Sequence, residues 1–156
     1  MNGNDRTISR IIKVPRASVW NAWANPGNFE QWWIPEPLKC RVVDMDLRPG
    51  GAFVTQMSED GATYTPHMNA CFLAADALER IVFTNALTGG WRPAEDFYPV
   101  PMTAIITLRD HAGGTEYSAR VLHRNEADRK THSDMGFQEG WGTVLDQLAR
   151  KLESRD

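Results

Sequence analysis

The spacing of apolar residues changes along this chain, and each change marks a different kind of element. An apolar-rich run over residues 8–14 stops at Pro15. Proline has no amide donor and pushes its predecessor to extended geometry, so the run reads as a strand that ends there. Beyond it, Val19, Trp20 and Trp23 fall at helical spacing, which predicts a helix opening at Pro15 or Arg16 and running to Trp23. Asn25-Pro26-Gly27-Asn28 reads as a turn. Asn28 is then expected to cap a second short helix bearing Phe29, Trp32 and Trp33, which Pro35 and Pro37 stop. Four of the six tryptophans thus arrive within fourteen residues. So much aromatic surface has to wall the interior.

The middle of the chain has strand signals in series, over residues 40–47, 52–57, 67–74, 80–85, 102–109 and 115–123. Between them lie turn clusters: Arg48-Pro49-Gly50-Gly51, Glu59-Asp60-Gly61, a short turn near Asp76, and Asp110-His111-Ala112-Gly113-Gly114. In the last strand Tyr117, Ala119 and Val121 alternate with Glu116, Ser118 and Arg120, giving one buried and one wet face. The period then switches. Phe137, Trp141, Val144, Leu145, Leu148 and Leu152 form one apolar stripe on a long helix. Gly136, Gly140 and Gly142 fall within the same stretch. An interior glycine costs a helix about 1 kcal/mol relative to alanine. Either close backbone approach to the sheet or space left for a ligand has to account for them.

These elements sum to an α+β design in which a curved antiparallel sheet of about seven strands wraps one long final helix, with two short helices after the first strand. No repeat, linker or low-complexity tract divides the 156 residues, so a single domain over 1–156 with an ordered core over 7–153 is expected. A net charge of −3 excludes the concentrated basic face of a nucleic-acid binder. The basic cluster over residues 120–132 is broken by Glu126 and Asp128 and reads as a solvated turn and helix start. No segment approaches the apolar length of a membrane span, and the polar start carries no signal core, so no membrane partner and a cytoplasmic location are expected. Cys40 and Cys71 each lie in an apparent strand; they could pair only if those strands were adjacent.

Five short patterns carry a resemblance. They are Val14-Pro15-Arg16 with Val19-Trp20-x-Ala22-Trp23; Trp32-Trp33; Asp46-Leu47-Arg48-Pro49-Gly50-Gly51; Gly114-Thr115; and Gly136-Phe137-x-x-Gly140-Trp141-x-x-x-Leu145-Asp146-x-Leu148. In this order they resemble the activator-of-heat-shock-ATPase-like branch of the START-like, or SRPBCC, superfamily, over nearly the whole chain. The resemblance implies a helix-grip fold, a seven-stranded sheet gripping the C-terminal helix with a cavity between them. It also implies that members often lack an assigned activity. Residues 85–101 depart from the pattern, being longer and more aromatic.

Catalytic signatures are missing: there is no Gly-x-Ser-x-Gly elbow, phosphate loop, Cys-x-x-Cys or His-Glu-x-x-His. No metal and no cofactor are expected; Asp44-x-Asp46 lacks the later glycine and glutamate of a calcium loop. By strand period His123 lies on the Tyr117–Val121 inward face, where it either touches the cavity as an orienting group or general base, or closes the strand half-exposed. Tyr117, Asn85 and Thr55 are the other polar groups on inward faces, each a ligand contact or satisfied internally. Phe53, Met57, Met68, Phe83, Met102 and Ala119 from the sheet, with Phe137 and Trp141 from the helix, are expected to form wall or core. Trp32 and Trp33 point about 100° apart on a helix, so one packs inward and the other, Trp33, is assigned to the cavity mouth.

The segment with Trp91, Phe97 and Tyr98 reads as a lid, a contact with a second copy of the chain, or a loop packed on its own sheet. Three functional classes follow. The first is a protein binding a hydrophobic or aromatic small molecule. The second is a cyclase- or hydratase-like enzyme using His123 or Tyr117. The third is an interaction module for a chaperone ATPase, ranked last because a lone domain of this size lacks the additional N-terminal domain associated with that role.

Overall fold

The computed structural model describes residues 5–97 and 100–154. In chain order the elements are β1 (Asp5–Ile12), α1 (Arg16–Ala24), α2 (Pro26–Phe29), β2 (Lys39–Met45), β3 (Ala52–Ser58), β4 (Thr65–Asp76) and β5 (Arg80–Thr84). They continue with the short pair β6 (Leu87–Thr88) and β7 (Arg92–Pro93), then β8 (Met102–His111), β9 (Gly114–His123), α3 (Glu126–Asp134) and α4 (Phe137–Glu153). Seven strands form one antiparallel sheet in the order β1-β9-β8-β5-β4-β3-β2. Alternation builds its inner face: Met102, Ala104, Ile106 and Leu108 of β8 are buried beside Tyr117, Ala119, Val121 and His123 of β9. The apolar stripe of α4 lies against that face, burying Val144, Leu145, Leu148 and Leu152.

Register shifts curve the far half of the sheet. The β2–β3 ladder slips between Val42 and Asp44, β3–β4 between Thr55 and Gln56, and β4–β5 between Phe72 and Ala74. Each inserts an extra residue, which bends the strand and re-aims a side chain. In β4 the inserted residue is His67, since Met68 opposes Thr55 and Pro66 opposes Gln56.

Three local features differ from the sequence reading. Asn25, not Asn28, caps the second helix: its Oδ1 accepts from the Asn28 amide at 3.1 Å, and Pro26 takes the first helical position, where its missing donor costs nothing. Trp32 and Trp33 therefore follow α2 rather than riding on it. The basic cluster closes into the full helix α3, capped by Asn125, and buries Asp128 and His132. Gly136 precedes α4 at φ 92, the left-handed conformation that breaks α3 from α4. Cys40 and Cys71 are both free, on strands separated by β3. Burial, with Glu30 adding to it, pushes the Cys40 thiol up to about 12, so it is inert as a nucleophile. No helix among the described residues is long and apolar enough to cross a membrane.

The segment after β5 packs beside the β2–β3 turn. Gly90 donates to the Gly50 carbonyl at 2.8 Å, Gly89 lies against Ala52, and the Trp91 indole covers Gly50 while staying half-exposed. Tyr98 and Pro99 lie outside the described residues.

Two glycines of the sequence motifs have a steric cause. A Cβ on Gly51 would stand 1.8 Å from the Asp46 carbonyl oxygen, and one on Gly114 2.1 Å from that of Ile12. Neither neighbour is a flexible side-chain tip. Gly51→Ala and Gly114→Ala are each expected to lose at least about 2 kcal/mol as a lowered urea midpoint. Gly113→Ala, where only the positive φ is strained and nothing is within 4 Å, should lose only about 1 kcal/mol.

Candidate functional site

Between the sheet and the first two turns of α4 lies a cavity of about 230 Å³. The α4 wall is Phe137, Gly140, Trp141 and Val144, at helical spacings of three and four, preceded by Met135 and Gly136. The sheet contributes His67, Met68 and Met102, the loop after α2 contributes Trp33 and Pro35, and α3 contributes His132. Among the described residues no Asp, Glu, Lys or Arg lines it.

Gly140 decides the shape. It occupies a position on the sheet-facing stripe of α4 where an apolar side chain belongs. A Cβ built there meets nothing within 4 Å. Close approach to the sheet therefore does not explain this glycine; open space does. Gly142 likewise has no neighbour within that distance, but it does not line the cavity.

The aromatic wall is rooted in a packed cluster. Trp23 touches Phe29, Trp32 and Trp33, with ring centroids 5.0, 5.4 and 5.3 Å away, and Trp33 bridges from there to Trp141 at 6.0 Å. Trp32 is locked in the core by an indole bond to the Ala22 carbonyl at 3.0 Å. Trp33 is the member on the cavity wall. Its indole N–H is buried with no acceptor among the described residues.

Gln147 fixes the distance between this wall and α4. Its Nε2 donates to the carbonyls of Trp32 and Ile34, both at 3.0 Å, and its Oε1 accepts from the Glu36 amide at 2.7 Å. Nothing in the sequence reading singled it out, although a glutamine among Val144, Leu145 and Leu148 is the signal a buried polar clasp leaves.

Besides the Trp33 indole N–H, two imidazoles supply side-chain polarity. The bulge in β4 lets His67 line the cavity beside its neighbour Met68, which strict alternation would forbid. Its Nδ1 lies 2.9 Å from Thr55 Oγ1. His132 of α3 pairs through Nδ1 with His123 Nε2 at 2.8 Å and stacks edge-on to Phe137. Burial lowers the pKa of His67 below its ordinary value. Burial, and then the neighbouring His123, takes that of His132 down to about 4. Both rings are neutral at pH 7.

Other residues considered from the sequence lie elsewhere. His123 is buried behind His132 and does not line the cavity. The Tyr117 hydroxyl accepts from the Trp23 indole at 3.1 Å, and burial raises its pKa above the ordinary phenol value. Asn85 clamps the ends of the 86–101 segment, donating to the Val100 carbonyl at 3.0 Å and accepting from the Met102 amide at 2.8 Å. Phe53, Phe83 and Ala119 are fully buried in the core, and Thr55 supports His67 from behind. Met57 lines a separate cleft with Asp60 and Thr65. None of residues 86–97 lines the cavity. Among the described residues no three His, Cys, Asp or Glu side chains converge as a metal would need.

A neutral His132 ties α3 to pH. Unfolded, its ring protonates near 6.5; folded, only near 4. The unfolded chain thus binds the extra proton between these values, and stability present above about pH 6.5 is lost as pH falls toward 4. The urea midpoint should drop between pH 7 and pH 4.5. His132→Asn, which keeps a group at the Nδ1 position but does not titrate, should flatten that fall. A wild-type midpoint that rises on acidification would contradict this.

Comparison with known proteins places this architecture. Comparison with curated proteins gave no match. A crystal structure of a protein from Nitrosomonas europaea is similar over 99% of this chain and 97% of its own, at 36% identity and a TM-score of 0.85. One from Mycobacterium smegmatis, at 23% identity and a TM-score of 0.79 over 99% of this chain and 93% of its own, shares the fold. So does an AHSA1-like protein from Aeromonas hydrophila, at 18% identity and 0.69 over 96% and 92%. The family model described as activator of Hsp90 ATPase homolog 1-like protein matches residues 13–153. With that match running from the end of β1 through α4, the chain belongs to the activator of Hsp90 ATPase homolog 1-like family, a branch of the START-like superfamily, and has its helix-grip fold.

Proposed function

We propose that this protein binds a small, largely apolar molecule in the cavity between the sheet and α4. Gly140 carries the reading. A helix interior gives up about 1 kcal/mol at a glycine. Here the residue makes no close contact in return and leaves space at the centre of the apolar stripe. An open-mouthed, largely apolar recess of this size beside Trp33, Met68 and Trp141 is the shape small-molecule sites take, which supports a ligand role. Burying apolar surface there is worth about 25 cal/mol per Å² and supplies the affinity. The methionines add adaptability, since their unbranched thioethers conform to irregular shapes.

Gly140→Leu tests the site because it restores the missing side chain. Filling should raise the melting temperature, by about 2–4 °C for each kcal/mol gained in a chain of this size. It should also abolish naphthalene binding, read by calorimetry on the variant beside the wild type. A variant that is more stable yet binds naphthalene as before would place the ligand elsewhere.

A further inference from the structure

Resting on that reading, we infer that the ligand is uncharged and carries a hydroxyl or carbonyl group, read by His67 and His132. Among the described residues the lining of the cavity carries no formal charge, so an ionised ligand would leave water without a counter-ion. The nearest charge on α4 argues the same way. Glu139 lies one turn into the helix, its Oε2 3.6 Å from where a Cβ on Gly136 would stand, so its carboxylate is the anion at the positive end of α4 and would repel another.

The two histidines are arranged alike although they come from unrelated elements. Each uses Nδ1 on a partner outside the lining, Thr55 for His67 and His123 for His132. That bond holds the ring's orientation and leaves Nε2 as the nitrogen open to a ligand. Burial keeps both rings uncharged, so each offers a single oriented donor or acceptor. The His123–His132 bond can run in either direction. If His132 donates through Nδ1, its Nε2 accepts from the ligand; if His123 donates, the Nε2 of His132 carries the proton and donates. A hydroxyl suits either arrangement, and a carbonyl suits the second.

Two-naphthol, naphthalene and 2-naphthoate form a matched set, titrated calorimetrically into the intact protein at pH 7.5. The expected order is 2-naphthol above naphthalene above 2-naphthoate, with one added neutral hydrogen bond giving roughly a fivefold gain. His67→Asn and His132→Asn keep an amide at the Nδ1 position and remove Nε2. At the histidine that makes the bond, the change should cost 2-naphthol that gain and leave naphthalene unchanged. The corresponding Gln variant, which places an amide near the Nε2 position, should recover it. On wild-type protein, ¹⁵N spectra should show the Nε2 resonance of His67 or His132 move with 2-naphthol and not with naphthalene. Tightest binding of 2-naphthoate, or Asn variants that change neither probe or both equally, would overturn the assignment and leave apolar binding standing. Failure of all three probes to bind would remove the cavity reading and this inference with it.

Discussion

The structure depends on how α4 is held above the sheet. Its C-terminal half is packed down by Leu145, Leu148 and Leu152. Its N-terminal half stands off, and Gln147 sits at the boundary with its amide hydrogen-bonded to the loop that carries Trp33. Two buried carbonyls and the part-buried Glu36 amide are met by one side chain, and each carbonyl left unpaired would cost about 1–3 kcal/mol. Arg150 and Lys151 reach Glu36 on the same loop, and Arg10 of β1 pairs with Asp146 one residue before Gln147. These outer pairs are half-exposed and worth little by themselves. They flank the buried clasp, and its geometry sets the spacing of loop and helix.

The tryptophan-rich segment gains its meaning from that clasp. Trp23 anchors α1 to Tyr117 on the sheet, and Trp32 ties back to α1 through Ala22. Trp33 is the ring left to face α4 across the opening. Stiff aromatic packing on one side and a glycine on the other keep the gap from collapsing. Collapse would require a rigid cluster to move or a missing side chain to appear.

Much of this was legible in the sequence, for identifiable reasons. Alternation in β9 located the inner face, and the stripe from Phe137 to Leu152 located α4, because period alone dictates both. Arg48-Pro49-Gly50-Gly51 was legible as a turn; that Gly51 and Gly114 sit against backbone carbonyls appears only in the fold. The polar half of the site was hidden. His67 lines the cavity only because β4 carries an extra residue, and a bulge leaves no mark on hydrophobic period. His132 lay within a charged run that reads as solvated, and it became buried once α3 folded against His123. Tyr117 and Asn85 read from their inward positions as either ligand contacts or groups satisfied internally, and each is engaged by the fold itself, one by Trp23 and the other by the Val100 and Met102 backbone. Strand period gives the face a residue occupies; it does not give the partner it finds there.

The account stands on one claim: the space beside Gly140 is open in the folded protein. Xenon occupies apolar cavities that exclude water and adds no hydrogen bond of its own. Crystals pressurised with xenon should show a peak between Gly140, Trp141 and Met68, with the side chains of Trp33 and Phe137 unmoved. No xenon there, and Trp141 or Met68 filling the space instead, would contradict the account.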